Sequence, residues 1–238
     1  MSLNGKNVIV IGGTSGIGLA VAARAAADGA VVTVASSSQD RIDAALKELP
    51  DTARGARLDV TDEAAIAEFF GTQGEFDHLV YTAGEALLLA PIDAISAAQA
   101  DAFFGIRYRG AFLAAKYAAA HVRSGGSITF TSGTVATRPG PGTALPASVT
   151  AAVEGLTRAL AVELAPVRVN AVRPGPVRTT LWDGTVPDPQ AVYDDFSGRI
   201  PVGRIADPDE IAAAYAYLIG NHFTTGTVLT VDGGTVLA

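Results

Sequence analysis

The sequence predicts an α/β domain: a doubly wound parallel sheet with helices on both faces. Short β-branched runs alternate with Ala-rich segments of helical length from one end to the other. Val8-Ile9-Val10-Ile11 is apolar throughout, as a parallel strand covered on both faces should be. No internal repeat, long charge run or Ser/Gly linker divides residues 1–238, so one domain is expected.

The elements follow in order. Val8-Ile9-Val10-Ile11 reads as a buried strand, followed by a glycine loop and a helix from about Gly16 to Asp28 that Gly29 terminates. Ala30–Ala35 is the second strand, and Gln39–Leu49 the next helix, closed by Pro50. Further strands are expected at Gly55–Leu58, Asp77–Thr82, Ser127–Thr131, Val167–Val172 and Thr227–Val231. Helices are expected around Asp62–Phe70, Ala97–Val122, Ala147–Leu164 and Pro208–Ile219. Ser96 with Gln99, and Asp207 with Glu210 behind Pro208, carry capping-box spacing at two of these starts. The proline-broken stretch Gly175–Ile205, which contains Trp182, reads as too irregular for a core element. Lying past a strand's carboxyl end, it is placed either to cover a ligand or to form an ordered surface loop.

Composition narrows the function classes. The 238 residues are 49% apolar and 17% charged, enough to bury a core and too apolar for disorder. The formal net charge of -7, with no basic block, argues against nucleic acid and anionic membrane as partners. Zero cysteines remove disulfides, thiolate catalysis and Cys-ligated metal. The start MSLNGKNVIVIGG lacks a signal-peptide layout, and no stretch approaches the roughly 18 apolar residues of a membrane span. A cytoplasmic protein is expected. His78, His121 and His222 show no metal-ligand spacing.

Gly12-Gly13-Thr14-Ser15-Gly16-Ile17-Gly18 sits between the first strand and its helix. Glycines let a backbone turn tightly and approach a pyrophosphate, whose charge the helix N-terminus favours. With a strand before it and a helix after it, this cluster points to a Rossmann-type dinucleotide site. NAD sites usually place a carboxylate about 20 residues past the loop, on the ribose 2′-hydroxyl. Here Ser36, Ser37 and Ser38 stand at the strand end with Arg41 one turn further on, which suits a 2′-phosphate. The reading leans to NADP(H) over NAD(H), although the same serines also suit an ordinary helix N-cap.

These motifs together resemble the short-chain dehydrogenase/reductase family over essentially the whole chain. GGTSGIG at 12–18 is similar to the family's cofactor loop, with Gly12 where Thr is usual. Leu58-Asp59-Val60-Thr61 resembles the segment whose Asp meets the adenine ring, which implies Asp59 and Val60 as cofactor contacts. Tyr81-Thr82-Ala83-Gly84 stands where the family has Asn-Asn-Ala-Gly, implying Ala83 and Gly84 at the same site. Val169–Gly175 resembles the segment whose Pro-Gly lies beside the nicotinamide; Pro174, Gly175, Val177 and Thr179 would line it, Thr179 meeting the carboxamide. Val231-Asp232-Gly233-Gly234 is similar to the C-terminal signature.

The resemblance also implies an Asn-Ser-Tyr-Lys catalytic set, and here the chain departs from the family. Registration on flanking residues places Arg107 at the Asn, Gly133 at the Ser, Pro146 at the Tyr and Thr150 at the Lys. No Tyr-x-x-x-Lys occurs anywhere in the chain. Thr150 can still touch a ribose, without a charge to lower a neighbour's pKa. Losing a positioned general acid costs roughly 10²–10⁴ in rate. Arg107 is no proton donor, but it can stabilise an oxyanion or grip a carboxylate; a structural ion pair is the other reading. Displaced acids are sought at Tyr81, Tyr108 and Glu85, with Ser132 and Trp182 also near the pocket. Two readings stay open: an atypical NADP(H)-dependent oxidoreductase acting on a small molecule, apolar or aromatic, or a dinucleotide-binding pseudoenzyme or sensor. The Ala-rich helices, matching those that build interfaces in the family, imply a homodimer or homotetramer.

Overall fold

A computed structural model describes residues 2–84, 86–182 and 186–238. Seven parallel strands form one sheet in the order β3-β2-β1-β4-β5-β6-β7. They are β1 (Asn7–Ile11), β2 (Val31–Ser36), β3 (Arg54–Arg57), β4 (Phe76–Tyr81), β5 (Val122–Thr131), β6 (Arg168–Pro174) and β7 (Val228–Val231). The strand order reverses between β1 and β4, so a crevice opens at their carboxyl ends, where open α/β sheets take ligands.

Both faces are covered because successive side chains of each strand go to opposite sides. Val8, Val10, Val32, Val34 and Val172 face α1 (Gly16–Ala27) and α8 (Pro208–Gly220). Ile9, Ile11, Leu79, Ile128, Phe130 and Val169 face α3 (Glu63–Gln73), α5 (Ala111–Ala118) and α6 (Ala144–Glu163). The capping boxes form as the spacing predicts, at Ser96 before α4 (Ala97–Phe104) and at Asp207 before α8. The second helix, α2 (Gln39–Leu46), stops earlier than expected.

Three further expectations change. The single helix expected over 97–122 is α4, a π-helical segment Gly105–Gly110, and α5; the residues before Ser127 already belong to β5. Tyr81, at the end of β4, explains the break. Its hydroxyl donates to the Ile106 carbonyl at 2.5 Å, and a methyl on Gly110 would stand 2.3 Å from that hydroxyl. A side chain reaching into the helix backbone widens a turn in this way. The helix expected from Ala147 starts at Ala144, with Pro146 in a first turn that tolerates it. The stretch Gly175–Ile205 is not wholly irregular: Asp188 caps α7 (Pro189–Arg199) by accepting from the Gln190 and Ala191 amides. Tyr193, Ile200 and Ile205 are buried there against Trp182 and Phe196, a small cluster apart from the two main cores. Asp188-Pro189 was the start signal in the sequence.

At the amino-terminal half of the sheet, His78, Ser127 and Arg168 stand in one cross-strand row facing α8. The His78 Nδ1 lies 2.9 Å from Ser127 Oγ, and Arg168 donates to the Leu218 and Ile219 carbonyls at the α8 terminus. Burial pushes the imidazole from 6.5 down to about 4; Asp77 opposes this, while Arg168, Lys6 and His222 add to it. The unfolded chain therefore takes up this proton first as pH falls, and stability is lost between about pH 6.5 and 4. The loss approaches about 3 kcal/mol at the acid end. Melting at pH 7 and pH 5 should show the drop, and His78→Asn should flatten it; an unchanged slope in that variant would refute the assignment.

Candidate cofactor and catalytic site

The glycine turn is built by contacts that admit no side chain. Gly12 has a φ of +85° and Gly16 of +50°, the left-handed region that glycine enters freely. A methyl on Gly12 would stand 2.5 Å from the Ala83 amide nitrogen. One on Gly18 would stand 2.1 Å from the Gly12 carbonyl oxygen and 2.5 Å from Thr82 Oγ1. The turn is thus pressed against the end of β4, and the first turn of α1 carries no acidic residue. Ser15 is the N-cap residue, with no side-chain cap bond. The Thr179 methyl group comes over Gly16, within 3.2 Å of where a Cβ would be. A backbone cradle at a helix N-terminus, next to Thr14 and Ser15, fits a pyrophosphate.

At the end of β2, Ser36 Oγ accepts from the Ser38 amide at 3.3 Å, and Ser38 Oγ accepts from the Arg41 amide at 3.4 Å. Ser38 thus caps α2, the alternative weighed from the sequence, and its neighbour Ser37 remains exposed. The structure adds a cation that sequence reasoning missed. Arg57 pairs with Ser36 in the β2–β3 register, and its Nε donates to the Ser37 carbonyl at 3.3 Å. Asp59 follows on the same rim, exposed, with Oδ1 accepting from the Thr61 amide and hydroxyl at 2.9 and 2.7 Å. The Thr61 hydroxyl and then its amide hold the Asp59 carboxyl below its usual pKa, and Arg57 adds to this. Val60 is buried behind it.

On the other side of the switch point, the Gly175 amide donates to the Val231 carbonyl at 2.9 Å, and a Gly175 methyl would stand 2.8 Å from Asp232 Cα. Val177 is buried, and its carbonyl accepts from Trp182 Nε1 at 3.0 Å. Tyr193 donates to the Thr179 carbonyl at 3.3 Å while the Arg178 guanidinium lies 4.7 Å from its ring centre. The α7 cluster thereby anchors the segment that carries Thr179.

Three of the registered positions, Gly133, Pro146 and Thr150, lie together and carry no acid. A Cβ at Gly133 would lie 3.5 Å from the Thr150 methyl, and Thr150 Oγ1 donates to the Pro146 carbonyl at 2.7 Å. The Arg107 guanidinium carbon lies 2.8 Å from a Cβ built on Gly84, and 5.5 Å from the Phe103 ring centre. Tyr81, one of the candidate acids, and Ser132, expected near the pocket, are both engaged elsewhere. Tyr81 is 2% exposed, its hydroxyl bonded to Ile106 in the core. Ser132 is buried, and its hydroxyl donates to Glu154 Oε1 at 2.8 Å. Tyr108 packs edge-on to Phe104, and Glu85 lies outside the described residues. Among the described residues no group of three His, Cys, Asp or Glu is placed to hold a metal, and no helix is long and apolar enough to cross a membrane.

Comparison with known proteins decides the family. A family profile described as enoyl-(acyl carrier protein) reductase matches residues 12–236. The short-chain dehydrogenase/reductase ATR9 of Stachybotrys chlorohalonatus is 34% identical over 252 residues, covering 99% of each chain. The chain belongs to the short-chain dehydrogenase/reductase family. A solved small-chain dehydrogenase in complex with NADPH is 35% identical, with a TM-score of 0.86 over 98% of this chain and 99% of the other. The MalC reductase/Diels-Alderase of Malbranchea aurantiaca superposes with a TM-score of 0.92 at 34% identity, over 99% of this chain and 98% of the other.

Within this short-chain dehydrogenase/reductase, the two ends of the site should respond differently to a new methyl group. Gly18→Ala forces backbone apart, and overpacking of this kind costs about 1–3 kcal/mol. Its melting temperature should fall by several degrees and its dinucleotide affinity with it. Gly133→Ser meets only ordinary contacts and should leave the melting temperature within about 2 °C. Equal destabilisation in calorimetry would show that the glycine turn is not the tight point.

Proposed function

We propose that the chain is an NADPH-dependent reductase whose substrate needs no proton from the protein. One observation carries the reading: positions 133, 146 and 150 converge without a titratable group, while the glycine cradle stays intact. Gly12–Gly18 would hold the pyrophosphate, Asp59 and Val60 the adenine, Ala83, Gly84 and Thr150 the ribose beyond it, and Pro174, Gly175, Val177 and Thr179 the nicotinamide. Ser36, Ser37, Ser38, Arg41 and Arg57 would receive a 2′-phosphate, and the NADPH complex of a relative supports that preference.

A dinucleotide held there would supply a hydride for an electrophilic carbon; a conjugated alkene reduced in this way would leave an enolate, with the proton coming from water. Arg107 would stabilise that negative charge from its place on Gly84. An iminium is the second acceptor, since its reduction ends at a neutral amine. A guanidinium beside the site favours the enolate over the cation. A relative that is both reductase and Diels-Alderase is consistent with such a pocket, because cycloaddition moves no proton. Ser132 and Tyr81 act here as structural groups.

Residues 175–205 would cover the substrate, with Leu181 and Trp182 favouring an apolar or aromatic one. A homodimer or homotetramer would cover Phe112 on α5 and Val162 on α6, both exposed. The sensor reading stands second, favoured by the same missing acid.

Fluorescence titration should show NADPH binding well ahead of NADH. Arg57→Ala should weaken NADPH about tenfold and leave NADH alone, a loss of about 1.4 kcal/mol. An equal loss for both would remove Arg57 from the phosphate site. Across a panel of enones, iminium ions and ketones, NADPH should be consumed with the first two classes. Ketone reduction should appear in the triple variant Gly133→Ser, Pro146→Tyr, Thr150→Lys. A wild-type protein that binds NADPH and consumes none across the panel would count against the reductase reading.

A further inference from the structure

Beside Gly133 and Pro174 in the chain, Ser132 and Arg173 converge on one carboxylate of α6, and Thr230 of β7 joins through Arg173. Glu154 lies on α6, one turn beyond Thr150, and is 7% exposed. Its Oε1 accepts from Ser132 Oγ and from Arg173 Nε, each at 2.8 Å, and its Oε2 accepts from Arg173 Nη2 at 2.8 Å. Arg173 Nη1 reaches Thr230 Oγ1 at 3.2 Å. Burial opposes ionisation of Glu154, but the bonds from Arg173 and Ser132 outweigh it and hold the carboxyl below its usual pKa.

Each partner is the chain neighbour of a residue at the nicotinamide end. Ser132 precedes Gly133, Arg173 precedes Pro174-Gly175, and Thr230 precedes Val231, whose carbonyl receives the Gly175 amide. No group of the adenosine end takes part: Ser36–Ser38, Arg57 and Asp59 bond among themselves and with Thr61 and Arg41. A buried ion pair contributes little net stability compared with apolar side chains of the same volume. Its value lies in fixed bidentate geometry, which sets three backbone segments relative to one another.

Resting on the NADPH reading, we propose that Glu154 and Arg173 are positioning residues for the nicotinamide half of the site. They hold β5, α6, β6 and β7 at the spacing that lets Gly133 and Pro174-Gly175 close on one ring. With no charged side chain at positions 146 and 150, this pair supplies the rigidity beneath the reacting end, and the adenosine half is set independently of it.

The test compares affinities of the whole chain for NADPH and for 2′-phospho-ADP-ribose, the same ligand without its nicotinamide. Glu154→Gln keeps the volume and breaks the ion pair. The paired change Glu154→Leu with Arg173→Met removes both charges and leaves none unpaired. In both, the NADPH Kd should rise about tenfold while that of the fragment stays within about twofold, as expected when only one half of a ligand is misplaced. A purely structural role would lower the melting temperature and weaken both ligands together, and that result would overturn the proposal. So would an unchanged ratio of the two affinities in a folded variant. Thr230→Val, which deletes one bond to Arg173 and exposes no charge, should shift the ratio the same way by less; it decides if the other variants fail to fold. If the wild-type chain binds neither ligand, the cofactor reading falls and this one with it. If it binds both and the variants keep the ratio, the positioning role alone falls.

Discussion

The close approach of the Gly12–Gly18 turn to the end of β4 governs the geometry of this molecule. With Gly18 against the Gly12 carbonyl, and Gly12 against the Ala83 amide, the amino terminus of α1 opens directly over the switch point of the sheet. Any Cβ in that contact would lift α1 from β1 and β4, and the lining of the crevice with it. The backbone amides left at the mouth are what an anion can use. Thr179 over Gly16 then closes the turn from above, held by Tyr193 and Trp182 of a segment with a small core of its own.

Charge is distributed unevenly around this frame. The rim at β2 and β3 gathers Arg41 and Arg57 beside three serines, a surface suited to a phosphate. Gly133, Pro146 and Thr150 carry no side chain that titrates. Glu154, one turn beyond Thr150 on α6, forms a largely buried ion pair with Arg173. Arg107, lying on Gly84, can lower the energy of negative charge without giving up a proton.

Much of this was legible in the residues. The run Val8–Ile11, the glycine loop and the capping boxes are local signals, and each produced the expected element to within a few residues. The break at Gly105–Gly110 was not legible, because its cause is the Tyr81 hydroxyl arriving from β4, some 25 residues earlier. Nor was the fate of Ser132, which looked exposed to a pocket from its place beside Gly133. A strand's alternation turns it inward, where Glu154 is waiting 22 residues along the chain. Arg57 was passed over because only the β2–β3 register sets it beside Ser36 and Ser37.

By itself the sequence determined the α/β class, the single sheet, the glycine cradle and the absence of any Tyr-x-x-x-Lys. These depend on periodicity and on the identity of residues at fixed spacing, both local properties of the chain. Tertiary structure alone decided which side chains of that sequence share a site. It consigned Tyr81 and Ser132 to the interior, brought Arg57 to the serine cluster, and joined Glu154 to Arg173. The reason is physical: a hydrogen bond or ion pair acts over about 3 Å, and only folding brings distant segments within that range.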